Sequence, residues 1–344
     1  MRSFGSDNHS GIHPDILQAI TEANENHAIA YGDDPWTGKL KDEIKKYFGN
    51  QAEIFLTFNG TGANVTALRC AILPFHQILA AETAHIVVDE CGAPVLNTGA
   101  SIQDIQTVDG KLTPEILYPF LENIGFEHHS QPKIIYISQC TELGTVYRPD
   151  EISALARFAH QHGMYLHVDG ARLANACSFL NVSFKELITD TEVDLISFGG
   201  TKNGMMMGEA VISLRTELSE NLKYIRKQNA QLYSKMRYAS AQFLAYLKDD
   251  LWLRNATNAN NMALRLREGI REISAFLFTQ PTEANILLLK VPEQIQKALM
   301  EKHFFYVWNK KEEEIRLVTS WDTNETDIDS FLSDLYEITR KNQL

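Results

Sequence analysis

The 344-residue chain is 44% hydrophobic and 22% charged, enough to bury a full core and to divide into one large and one smaller unit. Its formal charge of -12 excludes a nucleic-acid or anionic-membrane surface as the expected role, because phosphate binding needs a net or clustered positive field and no Arg- and aromatic-rich stretch supplies one. The opening Met1-Arg2-Ser3-Phe4-Gly5-Ser6-Asp7 lacks an apolar signal core, no run approaches the roughly 20 apolar residues that span a bilayer, and Cys70, Cys91, Cys140 and Cys177 are too scattered for a disulfide scaffold, so a cytoplasmic protein with reduced thiols is expected.

In chain order, the apolar run Ile54 to Phe58 reads as a strand feeding the turn Asn59-Gly60-Thr61-Gly62-Ala63, with an amphipathic helix predicted from Asn64 to Ile72. His85 to Val88 is short and β-branched, which predicts a strand. Thr113 before Pro114 marks a helix start, Lys133 to Ser138 a strand, and Asp150 is expected to cap a helix from Glu151 to His162 that Gly163 stops. Tyr165 to Val168, Leu195 to Phe198 and Ala210 to Ser213 read as buried strands, followed by a long helical stretch from Leu218 to about Asp250. Beyond it, Ile286 to Val291, Phe304 to Trp308 and Ile315 to Thr319 look like strands, with helices at Pro292 to Lys302 and after an Asn324 cap. The alternation predicts an α/β unit with a largely parallel sheet, then a smaller α+β unit.

Four points along this pattern carry chemistry. Lys202 ends the run Val193-Asp194-Leu195-Ile196-Ser197-Phe198 inside Gly199-Gly200-Thr201-Lys202-Asn203-Gly204, and an amine delivered by a buried strand into a Gly-rich turn can form a Schiff base with an aldehyde cofactor. Asp169 closes Tyr165-Leu166-His167-Val168, at the carboxyl edge where open α/β sheets place ligands, and could keep a heterocyclic nitrogen protonated. Arg172 could pair with the same ligand or with Asp169. The Gly60-Thr61-Gly62 turn could bring backbone N–H groups to a phosphate, and His85 could stack on a flat ring or move a proton. Singly, each has a structural reading: a tight turn, a strand-end salt bridge, a packed histidine. In this order they supply what pyridoxal phosphate needs.

His-Val-Asp-Gly-Ala-Arg at 167 to 172 and Ser-Phe-Gly-Gly-Thr-Lys-Asn-Gly at 197 to 204 resemble the signature segments of the L-threonine aldolases, fold-type-I pyridoxal-phosphate enzymes. Ser6-Asp7-Asn8, Tyr31-Gly32-Asp33-Asp34, the Asn-Gly-Thr-Gly-Ala-Asn turn, Ala84-His85 and Ile315-Arg316-Leu317-Val318-Thr319-Ser320 occur in family order, so the resemblance runs nearly end to end. It implies an N-terminal segment, 1–15, that contributes to the site and to the small domain, a large pyridoxal-phosphate-binding α/β domain at 16–250, and a small α+β domain at 251–344. It implies that Lys202 carries the Schiff base, Asp169 meets the pyridine nitrogen, Gly60 and Thr61 hold the phosphate and His85 stacks on the ring. Arg172 would face the phenolic oxygen and the substrate carboxylate, which Ser6 and Arg316 would grip; without the resemblance, Arg316 reads as a solvated strand residue. Arg237 would reach a neighbouring subunit's phosphate, implying a homo-oligomer, as a tetramer built from two dimers with sites at the dimer interface. No metal is expected.

The activity implied is retro-aldol cleavage of L-threonine, L-allo-threonine and related β-hydroxy amino acids to glycine and an aldehyde. In Ser138-Gln139-Cys140-Thr141-Glu142-Leu143-Gly144, Glu142 stands where many family members carry an active-site histidine. The proton acceptor is therefore expected to be His85 or a water it holds, with Glu142 second, because a group titrating near neutrality suits the step. Tyr31, Trp36 and His9 are candidates for lining the side-chain pocket. The alternatives are a β-eliminating lyase, phenylserine aldolase or aminotransferase on the same scaffold, and a catalytically silent binding protein.

Overall fold

Seven strands make the larger sheet of the computed structural model, which describes residues 3–273 and 275–342. They are β1 (Glu53–Thr57), β2 (His76–Ala81), β3 (Ser101–Ile105), β4 (Gln131–Ser138), β5 (Tyr165–Gly170), β6 (Leu195–Gly199) and β7 (Glu209–Ser213), in the order β1-β7-β6-β5-β4-β2-β3. From β3 to β6 all neighbours are parallel, and β7 runs antiparallel to both β6 and β1. The central strands are buried on both faces, which is why they read as near-continuous apolar runs rather than alternating ones. Register sets Ser138 beside Asp169 and Asp169 beside Ser197, so the carboxyl ends of β4, β5 and β6 form one edge. Because β7 is antiparallel, its first residue, Glu209, lies opposite Gly199 at that same edge.

A second, antiparallel sheet follows: β8 (Leu277–Phe278), β9 (Ile286–Lys290), β10 (Tyr306–Asn309) and β11 (Glu314–Val318), ordered β10-β11-β9-β8. Helices Glu293–Met300 and Glu325–Lys341 close its core, the latter capped by Asn324, whose side chain accepts from the Asp327 N–H. Phe4 is fully buried in this core and hydrogen-bonds Phe304 and Val318 through its backbone, so the chain's beginning is woven into its end. The 21-residue helix Leu251–Arg271 joins the two cores: Leu251, Trp252 and Ala256 pack in the first, Ala263, Leu266 and Ile270 in the second. Among the described residues, no helix is long and apolar enough to cross a membrane. Met1, Arg2, Ser274, Gln343 and Leu344, which fall within the expected N- and C-terminal units, lie outside the described residues.

Four local expectations are corrected. His85–Val88 is a short helix, because the strand before it ends at Ala81 and the His85 N–H is taken by the Glu142 carboxylate rather than by a sheet neighbour. The helix after β1 begins at Gly60, not Asn64, since Asn59 caps it by accepting from the Gly62 N–H. The helix expected to follow Asp150 is Pro149–Gln161: proline occupies its first position and Glu151 reaches back to the Arg148 N–H. Finally, the stretch from 218 to 250 is two helices, Thr216–Gln228 and Arg237–Leu247, split where Ala230 adopts φ 58°. The intervening segment sends Gln231 onto the Phe58 N–H, beside the start of the Gly60 helix.

Candidate active site

After β6 the chain makes a single tight turn, Thr201–Asn203, that lifts Lys202 over the sheet edge. The Asn203 amide pins this turn from below, donating to the Tyr246 hydroxyl and the Trp252 carbonyl at 2.9 Å each. Beneath lies an aromatic base in which Phe198 meets Phe48, Phe184 and Phe243, with Trp252 against Phe184. Burial lowers the Lys202 amine below the ordinary lysine range and Arg172 pushes the same way, against Asp7, Asp169 and Glu209. A lysine so placed keeps more neutral, nucleophilic amine than a surface one. Glu209, under the turn, is raised to about 7 by burial, against hydrogen bonds from Thr201 and the charge of Lys202. Gly199 must be glycine here, because a Cβ would stand 1.7 Å from a Glu209 carboxylate oxygen.

Asp169, 8% exposed at the end of β5, accepts from the Asn64 side chain (2.9 Å), the Tyr136 hydroxyl (2.7 Å) and the Ala171 N–H (2.9 Å). Burial alone would raise its carboxyl, but Lys202 and these donors outweigh it and hold it below the usual range. Arg172 does not pair with Asp169. Its Nε and Nη2 grip both oxygens of Asp7, at 2.7 and 2.9 Å, and Asn285 completes that carboxylate. Burial works against the ionised forms of both partners, yet their pairing keeps Asp7 low and Arg172 high. Asp7 belongs to the short turn Asp7–His9, which packs on the Lys202 turn, and Ser6 caps it, its hydroxyl accepting from the Asn8 N–H. The N-terminal segment thus reaches the sheet edge through a buried ion pair.

His85 and Glu142 meet from the other side. The Glu142 carboxylate accepts from the His85 N–H (2.8 Å) and the Ser138 hydroxyl (2.7 Å), and burial raises it above the usual range despite these donors. His85 Nδ1 lies 2.8 Å from Glu90, whose hydrogen bond raises the imidazole; burial and Lys202 oppose, and Asp169 adds to the rise. Arg316, on β11, is not solvated: burial and the nearby Arg172 lower it to about 10, its guanidinium lies 4.5 Å from the Trp308 ring centre, and its buried Nε has no partner. At the Gly60 helix, Asn59 takes the Gly62 N–H and the Ala63 N–H bonds the Asn59 carbonyl. The Gly60 and Thr61 N–H groups are left pointing out of the helix N-terminus, with nothing within 4 Å of the space a Gly60 Cβ would fill.

Arg237 sits apart, donating to the carbonyls of Glu25 and Asn26 with Trp36 and Tyr238 against its guanidinium. Tyr31 meets Lys227, and His9 packs on Phe304 and Tyr306 while bonding Ser3. Asp7, Asn64, Tyr136 and Glu90 carry no assigned role in the sequence reading. Asn64 and Tyr136 left a faint signal, as polar groups in an otherwise apolar helix start and strand; Glu90 left none.

Chemically, the edge offers an amine, an ionised carboxylate fixed by three donors, a helix N-terminus with free N–H groups and an unpaired guanidinium. That set fits a cofactor with an aldehyde, a basic ring nitrogen and a phosphate, and the unpartnered Arg316 Nε suits one further carboxylate. Among the described residues, no group of His, Cys, Asp and Glu is disposed to hold a metal ion.

The beta-eliminating lyase family matches residues 3–293. A low specificity L-threonine aldolase of Pseudomonas aeruginosa is 40% identical over 324 residues, 94% of each chain, and one of a Pseudomonas species is 38% identical over 335 residues, 97% of each. Among solved structures, a threonine aldolase of Leishmania major superposes with a TM-score of 0.93 at 29% identity, over 98% of this chain and 99% of that one. A serine palmitoyltransferase of Sphingomonas wittichii, 14% identical, shares the fold with a TM-score of 0.74 over 99% of this chain and 87% of that one.

Proposed function

The chain belongs to the beta-eliminating lyase family, among its threonine aldolases, and from that membership we propose that it binds pyridoxal 5′-phosphate and cleaves L-threonine, L-allo-threonine and related β-hydroxy-α-amino acids to glycine and an aldehyde. The observation that carries this reading is the joint placement of Lys202 and Asp169 at one sheet edge, with the Arg172–Asp7 pair beside them and the buried, unpartnered Nε of Arg316 close to that pair. Bound there, pyridoxal phosphate supplies an aldehyde for amino groups and a protonated ring that draws electrons from the bond to be broken. Lys202 holds it through its amine, Asp169 keeps the ring nitrogen charged, and the Gly60 and Thr61 N–H groups take the phosphate. Arg316 and Ser6 bind the substrate carboxylate, while Arg172, locked by Asp7, stands beside them with its Nη1 spare.

Of the two groups expected to take the β-hydroxyl proton, the electrostatics favour Glu142. Its carboxyl is raised above the usual range by burial, which makes it the stronger acceptor, whereas the Glu90 hydrogen bond raises the His85 imidazole and favours the form that donates. We place the protein in the cytoplasm as a homo-oligomer, a tetramer built from two dimers, with Arg237 serving the neighbouring subunit.

The family's own name makes β-elimination the competing chemistry. Incubation of the cofactor-loaded protein with L-threonine, L-allo-threonine and L-phenylserine should release glycine with acetaldehyde or benzaldehyde, and Lys202→Ala should abolish both the release and the visible absorption of bound cofactor. A 2-oxo acid and ammonia in place of glycine, 2-oxobutanoate from the threonines or phenylpyruvate from phenylserine, would overturn the aldolase reading.

A further inference from the structure

Glu90 is a buried carboxyl that the reaction above does not use. Its side chain is fully buried just past the short helix His85–Val88, and one oxygen, Oε1, lies 2.8 Å from His85 Nδ1 and 2.8 Å from the Asn64 amide nitrogen. The same Asn64 nitrogen is 2.9 Å from Asp169, which the Tyr136 hydroxyl holds at 2.7 Å. A continuous hydrogen-bonded chain therefore runs from His85 through Glu90 and Asn64 to Asp169.

With Glu90 and Asp169 as carboxylates, the donors and acceptors in it have one arrangement. A carboxylate accepts and an amide nitrogen donates, so Asn64 gives one proton to each carboxylate and His85 must carry a proton on Nδ1. The titrating atom of His85 is then Nε2. Glu90 is an expensive way merely to fill space, because its second oxygen is buried with no partner. An apolar side chain would avoid that cost, but it would not supply a charge.

We propose that Glu90 is a positioning residue that fixes the His85 tautomer and keeps its ring positively charged, and that Asn64 couples this charge to Asp169. The carboxylates facing His85 outnumber the amine that opposes them. Glu90 follows it in the chain, Asp169 ends β5, and Glu142 after β4 takes its backbone N–H, against the single opposing charge of Lys202 beyond β6. A charged His85 donates from Nε2 and leaves proton acceptance to Glu142, so the inference rests on, and deepens, the aldolase reading.

The test is the titration of His85 in the holoprotein, followed by NMR of ¹³Cε1-labelled histidine and assigned by the signal missing in His85→Gln. His85 should titrate above a free histidine in the wild type and fall by about one pH unit in Glu90→Gln, while Glu90→Asp stays closer to wild type. Asn64→Ala, which leaves the Glu90 charge undivided, should move His85 the other way, upward. Opposite shifts are not produced by a merely structural role, and either variant carries its half if the other fails to fold. An unchanged His85 in Glu90→Gln overturns the assignment of Glu90, and an unchanged or lowered one in Asn64→Ala overturns the coupling. No substrate is present, so these outcomes are separate from the aldehyde assay that tests the reaction itself.

Discussion

At the scale of single residues, the site is decided by which charges are neutralised and which are left. Two guanidiniums point to the same edge, yet Arg172 spends Nε and Nη2 on Asp7 and only Arg316 keeps a buried, unpartnered nitrogen. Glu142 and His85 touch through a backbone hydrogen bond but differ electrostatically, since burial raises the first and the Glu90 hydrogen bond raises the second, and the proposed roles of acceptor and donor follow from that difference. Glu142→Gln should lower kcat by about 10²- to 10⁴-fold with little change in KM, whereas His85→Asn should weaken cofactor retention as well. If both variants turn over threonine at the wild-type rate, neither group moves the proton.

At the scale of elements, strand direction explains a feature no single residue does. Parallel β4, β5 and β6 deliver their last residues to the site, while antiparallel β7 delivers its first, so Glu209 arrives beneath Lys202 opposite a glycine that makes room for it. Its folded pKa of about 7 lies above the ordinary glutamate value of 4.5. The folded state therefore binds the extra proton between those values, and this group's contribution is fully present below 4.5 and is lost as pH rises through about 7. Thermal unfolding midpoints of the wild type should reflect that loss, on the order of 3 kcal/mol at most, and Glu209→Gln should remove it. Identical pH dependence in the two proteins would place the Glu209 titration outside this window. Asp7 and Asp169, both lowered, act in the opposite sense and are common to the two proteins, so the difference between them isolates Glu209.

At the scale of the whole molecule, the site depends on segments far apart in the chain. Asp7 comes from the N-terminal segment, Lys202 from the large sheet and Arg316 from the small one, while helix Leu251–Arg271 carries side chains of both cores and fixes their relation. Reciprocal amide bonds between Asn175 and Asn260 reinforce that junction. Arg237 is held on another part of the surface, where the proposed oligomer would give it a neighbour's phosphate to meet. Lys202→Ala and Arg237→Ala proteins, each inactive or nearly so, should regain activity when their subunits are exchanged, because one site of the hybrid is whole. No recovery on mixing, with exchange confirmed by native mass spectrometry, would confine Arg237 to its own subunit.

The amino-acid sequence by itself determined the strand–helix alternation, the strands ending at Asp169 and Lys202, and their order with the Gly60 turn and His85, because each is a local pattern of apolar period, small residues and chemistry. It misplaced His85 on a strand: a short β-branched run cannot signal that its first N–H will be captured by Glu142, a residue 57 positions away. The pairing of Arg172 with Asp7 across 165 residues, the desolvation of Arg316 and the chain through Glu90 and Asn64 were decided only by the tertiary structure. Partner choice and burial are properties of packing between distant segments, and no local spacing encodes them. Types and order of groups were legible; which charges are cancelled, shifted or left open was not.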